Sequence, residues 1–142
     1  MQNEGIYNFK EAEASLVAEA AVKALLENKG LDVRLFDVRE KSSVTDFYVN
    51  ATGRSSTQVA ALADEVVEVM EKGGRSALRV EGRSGNSWLL VDFGDVIVNV
   101  FDKASREFYS FDRHLPADSE RDIAYLIEEV DAKLNSLRNN NI

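Results

Sequence analysis

The turn Gly53-Arg54-Ser55-Ser56 is the segment best suited to grip an anion. It lies between an alternating apolar run and an amphipathic one, where backbone amides and the positive end of a helix face one way beside a guanidinium. Phosphate recognition at such a turn usually brings a three-glycine dinucleotide fingerprint or the lysine of a P-loop, and neither is present. Helix capping and turn formation account for the same residues without a ligand. Asp37, Asp46, Asp92 and Asp95 fall at strand ends, where carboxylates can hold magnesium for phosphoryl or nucleotidyl transfer. Two metal-binding carboxylates on one strand must be two residues apart to point the same way, and the chain contains no Asp-x-Asp. His114 is the one histidine and there is no cysteine, which removes disulfides, thiolate metal sites, iron-sulfur clusters and cysteine nucleophiles. No catalytic, cofactor-binding or metal-ligating residue is assigned from these patterns.

The chain has 142 residues, of which 44% are hydrophobic, enough for one domain with one core. Twenty-five acidic residues oppose 17 basic ones, and a net charge of −8 repels phosphate backbones, so a sequence-specific nucleic-acid partner is not expected. The first residues lack the basic-then-apolar pattern of a signal peptide, and every apolar stretch falls far short of the roughly 20 residues of a bilayer span. A cytoplasmic protein without membrane attachment is the expectation.

Around these residues the elements are predicted as follows. Asn8 with Glu11 makes a capping box for a helix over 8–28, closed by Asn28 and Gly30, which tolerate the left-handed conformation. The period then changes to two, giving a strand at 31–35 and another at 47–52. After the Gly53–Ser56 turn, Val59, Leu62, Ala63, Val66, Val67 and Met70 mark one face of a crossover helix ending at Gly73-Gly74. A short strand at 78–80 precedes a hairpin, 88–93 and 96–101, turned by Gly94-Asp95. Residues 106–115 are ambiguous. Ser119 with Asp122 opens a terminal helix over 119–138 whose stripe is Ile123, Leu126, Ile127, Val130, Leu134 and Leu137. The fold class is α/β, a single domain on a mixed sheet of about five strands flanked by helices. Residues 1–116 form the main body and 117–142 a helical extension of the same domain.

Both hairpin strands are apolar at nearly every position, so both faces of the sheet need cover there, one from a helix and the other from a further element or a partner. Trp88, the one tryptophan, opens the first of them. It suits core packing and it suits an interface anchor, and Phe108, Tyr109 and Phe111 nearby favour the second use.

The stretch Asp37-Val38-Arg39-Glu40-Lys41-Ser42-Ser43-Val44-Thr45-Asp46, followed by Ala51-Thr52-Gly53-Arg54-Ser55-Ser56, resembles the signature of the Iojap-type ribosomal silencing factors. Ala63-Asp64, Val80-Glu81-Gly82, the run from Trp88 to Val98, and Arg106-Glu107-Phe108-Tyr109 follow at family-like spacing. The resemblance implies a nucleotidyltransferase-like sheet, with the Gly53–Ser56 turn as a relic. It implies a translation repressor, not an enzyme, that needs no cofactor. Such a protein binds the large ribosomal subunit through its fourteenth ribosomal protein and blocks joining of the small subunit when nutrients are scarce. Family interface positions fall on Trp88, Leu89 and Tyr109. Two positions depart from the family: Glu40 stands where Gly is usual and Asn99 where His is common. The terminal stripe suits either folding back on the domain or pairing into a homodimer. A nucleotide-binding or nucleotidyltransferase-like enzyme using the Gly53–Ser56 turn is the alternative.

Overall fold

A computed structural model of the chain describes Phe9 and residues 12–140. Its elements are α1 (Ala14–Glu27), β1 (Leu31–Asp37), β2 (Phe47–Gly53), α2 (Ser56–Lys72), β3 (Arg79–Glu81), β4 (Trp88–Asp92), β5 (Val96–Asp102), α3 (Lys103–Tyr109), a 3-10 turn (Phe111–His114), β6 (Glu120–Arg121) and α4 (Ala124–Asn140). The strands form one mixed sheet in the order β3-β4-β5-β2-β1-β6. Among the described residues only the central β2–β5 pair is parallel, because α2 and the strands after it carry the chain across, whereas the neighbouring pairs are antiparallel.

Strand alternation divides the sheet's faces. Phe47, Val49 and Ala51 of β2, Leu89 and Val91 of β4, and Val96, Val98 and Val100 of β5 join the buried sides of α1 and α2 in the main core. Tyr48, Asn50, Thr52, Trp88, Asn99 and Phe101 point to the opposite face. There α3 and the 3-10 turn lie over the middle of the sheet, with Phe111 packed on Tyr48, Trp88 and Phe101. The second cover demanded by the apolar hairpin is therefore supplied in part by the chain itself. The ambiguous 106–115 segment is this cover, broken at Ser110, whose φ is 50°.

Two helix starts and one helix closure are built differently from the sequence expectation, while strand ends move by one or two residues. The first helix begins at Ala14 rather than at residue 8. Phe9 lies outside it, buried, with its amide donating to the Gly73 carbonyl at 2.7 Å, so tertiary pairing overrides local helical pattern; Asn8 and Glu11 lie outside the described residues. The terminal helix begins at Ala124 rather than at Ser119. Ser119 is buried, its hydroxyl donating to the Pro116 carbonyl, and its own carbonyl accepts from the Asp37 amide, which starts the sixth strand. Asp122 then accepts the Ala124 amide at 2.8 Å and takes over the expected capping role.

The third difference is at the end of α1. The amides of Lys29 and Gly30 donate to the carbonyls of Leu26 and Leu25, a Schellman closure whose left-handed position is Lys29, φ 66°, not Asn28 or Gly30. The equivalent closure of α2 has Gly74 at that position, φ 90°. Lysine there carries a Cβ penalty that glycine avoids. Lys29→Gly is expected to raise stability by about 0.5–1 kcal/mol, seen as a higher urea midpoint at unchanged slope.

The first half of the terminal stripe folds back on the domain. Leu126 and Val130 are buried, and Lys23–Glu129 and Lys133–Glu27 pairs at 2.8 and 3.0 Å flank the α1–α4 seam. Ile127, Leu134 and Leu137 remain exposed. Tyr125 donates to Glu19 at 2.7 Å, and burial together with that carboxylate pushes its phenol up to about 12. A raised phenol pKa leaves this contribution intact below pH 10 and removes it as pH climbs toward about 12. Tyr125→Phe is expected to remove that part of the alkaline loss of stability in pH-dependent melts.

Candidate functional site

Most of the residues first suspected of chemistry have structural partners, and Asp46 enters through its backbone, its amide donating to the Asp95 carbonyl at 3.1 Å and its carbonyl accepting from the Val38 amide at 2.9 Å. Ser55 caps α2 by accepting the Gln58 amide at 3.1 Å, while Gln58 Oε1 accepts the Arg54 amide and Arg54 Nη1 donates to the Lys29 carbonyl. Gly53 is required by close approach, since a Cβ there would meet the Val59 amide nitrogen and Cγ2 at 2.9 Å. This arrangement ties β2, α1 and α2 together at the start of α2. Asp37 is paired with Arg39 at 2.7 Å, which holds its carboxyl below the usual range. Asp92 is paired with Arg79 at 3.1 Å, and Asp95 with Arg75. His114 is exposed, with Nδ1 3.0 Å from the Ser110 carbonyl oxygen. Among the described residues no group of three or more His, Asp or Glu side chains is placed to hold a metal ion.

The features that stand out lie on the α3 side of the sheet. Trp88, at the start of β4, stacks on Phe101 at 4.9 Å and Tyr109 at 5.0 Å and meets Phe111 at 5.8 Å. Phe108 continues the cluster outward, 5.0 Å from Tyr109. Phe108 is 80% exposed, Tyr109 48%, and Trp88 is half-buried between them and the sheet. The result is one aromatic surface that runs from the core to solvent on a strand and a helix, the combination of apolar area and low side-chain entropy typical of interface anchors.

Beneath it runs a buried polar chain. The Trp88 indole Nε1 donates to Asn99 Oδ1 at 2.9 Å, Asn99 Nδ2 donates to Asn50 Oδ1 at 3.0 Å, and Asn50 Nδ2 donates to Asp112 Oδ1 at 2.6 Å. Arg106 Nε donates to the other Asp112 oxygen at 3.0 Å, and its Nη1 reaches Thr52 Oγ1 at 2.9 Å and the Asp32 carbonyl at 2.8 Å. Asp32 sits at the irregularity in the β1–β2 register, with φ 46°, which turns that carbonyl toward the guanidinium. Asn50, Asn99, Thr52 and Arg106 are all buried, so the chain fastens α3 and the 3-10 turn onto the sheet where water does not compete.

Of the three interface positions implied by resemblance, the structure brings Trp88 and Tyr109 together and separates Leu89 from them. Leu89 is 0% exposed and belongs to the core under α1 and α2, because adjacent strand residues face opposite sides. It can support a docking surface but offers no area to one. Phe108 was named in the sequence only as a neighbour, yet it is the most exposed aromatic of the cluster. The polar chain had a visible trace: Asn50 and Asn99 interrupt otherwise apolar strands and are direct register partners across the parallel pair.

Fold and face together define an α/β domain that carries a braced, aromatic-edged surface on the sheet side opposite its two main helices. The family model described as "Ribosomal silencing factor during starvation" matches residues 10–141, and the chain belongs to that family. The ribosomal silencing factor RsfS of Haemophilus influenzae is 39% identical over 98 residues, covering 66% of this chain and 96% of that protein. The chloroplastic protein Iojap of Zea mays is 31% identical over 119 residues, covering 78% of this chain and 52% of that one. A crystal structure of a Chromobacterium violaceum protein superposes with a TM-score of 0.70 at 33% identity, covering 72% of this chain and 85% of that chain.

Proposed function

We propose that this protein is a translation repressor that docks its Trp88–Tyr109–Phe108 surface on the large ribosomal subunit, on the fourteenth ribosomal protein, and keeps the small subunit from joining. The observation that carries the reading is the contiguous aromatic surface, half-buried at Trp88 and open at Phe108, in a chain of the ribosomal silencing factor family. Nutrient limitation is the condition under which the repression operates.

The physical setting fits such a role. Ribosomal proteins are usually basic, so a partner with net charge −8 gains approach rate and orientation, and aromatic anchors supply most of the affinity. The same charge disfavours gripping the surrounding RNA backbone. A protein acting by occupying space needs no catalytic group, and the arginine-paired carboxylates and the capped α2 start agree with a non-enzymatic factor, for which a cytoplasmic location is part of the proposal. The nucleotide-transfer alternative is weakened, because the Arg54 amide and guanidinium and the Ser55 hydroxyl of the Gly53–Ser56 turn are engaged in capping and packing.

Pelleting with purified large subunits at low and moderate salt tests the reading. Co-migration is expected with large subunits and not with small ones; no co-migration at either salt concentration removes the proposal.

A further inference from the structure

The buried chain beneath the aromatic surface has a direction, and its two ends impose it. An indole N–H only donates, and a carboxylate only accepts. Between them sit two amides that are each symmetric in shape but opposite in chemistry at their two ends. Because Asp112 must accept, Asn50 turns its NH2 toward the 3-10 turn and its oxygen toward Asn99. Asn99 then has to give its NH2 to Asn50, which leaves its oxygen facing Trp88. Reversing either amide would set two donors or two acceptors against each other in a region closed to water, which is costly.

We infer that Asp112, locked in place by Arg106, is a positioning residue that sets the orientation of the Asn50–Asn99 relay and thereby fixes the Trp88 indole for docking. This deepens the proposed function and rests on it. Asp112 does not touch Trp88; its influence passes through two buried amides across the central strand pair. The carboxylate is itself held by Arg106 Nε and Nη2, each 3.0 Å from Oδ2, so its own orientation is not free. A half-buried indole that is already in its docked orientation loses less freedom on binding, and an immobilised side chain of this kind is worth roughly three- to tenfold in affinity.

The test uses Asp112→Asn, which keeps the shape but can present either an oxygen or an NH2 to Asn50, so the carboxylate no longer imposes the direction and only the indole end still does. The chain has one tryptophan, so the indole N–H gives a single assignable resonance in a 15N–1H spectrum of the unbound protein. In Asp112→Asn that resonance is expected to shift or split, and affinity for purified large subunits to fall roughly three- to tenfold with cooperative unfolding retained. The second variant is Trp88→Phe, which keeps a ring but removes the donor. In that background Asp112→Asn is expected to change affinity by less than about twofold, because the relay has nothing left to hold. An unchanged indole resonance in Asp112→Asn, or an equal loss of affinity in both backgrounds, overturns the inference, the latter because it marks Asp112 as merely fastening α3. If the unsubstituted protein fails to bind large subunits, the docking proposal falls first, and the indole resonance still decides whether Asp112 directs the relay.

Discussion

Trp88→Ala is expected to lower affinity for the large ribosomal subunit by about 2 kcal/mol or more, roughly a thirtyfold loss, while the protein remains folded. The indole is the central member of the aromatic surface, with Phe101 beneath it, Tyr109 beside it and Phe111 edge-on. Truncating it removes the anchor's area and frees Tyr109, which has lost its packing partner. The variant also leaves the Asn99 oxygen without its donor and costs aromatic contact, so a loss of about 1–3 kcal/mol in stability accompanies the change. The main core, built on the other face of the sheet, is untouched. Titration of subunits at a temperature where thermal melts show the variant fully folded separates the two effects.

Leu89→Ala, one residue along, is expected to do the reverse. Leu89 is 0% exposed and lies in the main core, beside its register partner Val100 and on the face of β4 that meets α2. Truncation there leaves a cavity that close-packed helices cannot fill, at a cost of about 2–5 kcal/mol, a large share of the stability of a small domain. Urea unfolding should show the loss directly. At a temperature where the variant is still folded its affinity for large subunits should match that of the unsubstituted chain, because it presents no surface to a partner. Equal weakening of binding by the two substitutions would show that the strand, rather than its α3-side face, is what matters.

This pair of outcomes marks what was legible in the sequence. The hairpin from Trp88 to Phe101, the α2 stripe with a hydroxyl cap, and the strands β1 and β2 follow from local pattern and appear in the fold, although the alternation of β1 is broken at Asp32. The face on which each hairpin residue lies did not follow. With nearly every position apolar, alternation gave no contrast between Trp88 and Leu89, and only the placement of α1, α2 and α3 separates them. The two-residue strand β6 was hidden because the stretch before α4 carries a capping pattern that reads as helix start, and its pairing with β1 is a long-range event. The early start given to α1 failed for a similar reason: Phe9 continues the helical spacing but bonds to the end of α2 instead.

The candidate surface was legible in its exposed part and not in its support. Trp88 and Tyr109 could be named from motif position, and Phe108 from proximity. Arg106 and Asp112 gave no warning, since a charged pair six residues apart around a break at Ser110 looks like ordinary surface. Asn50 and Asn99 were the available clue. Two polar residues in register at the centre of a sheet call for partners, and their partners turn out to be a tryptophan on one side and an arginine-held carboxylate on the other.

Ile127, Leu134 and Leu137 lie along the terminal helix, whereas the aromatic surface is carried by β4 and α3.

The most direct measurement is the joining of purified small and large ribosomal subunits, followed by light scattering after magnesium is raised, with the large subunits preincubated with this protein. The expected result is a dose-dependent fall in the joined fraction with the unsubstituted chain, and little or no fall with Trp88→Ala at the same concentration. Undiminished joining at concentrations that saturate the large subunit, or equal inhibition by Trp88→Ala, would contradict it.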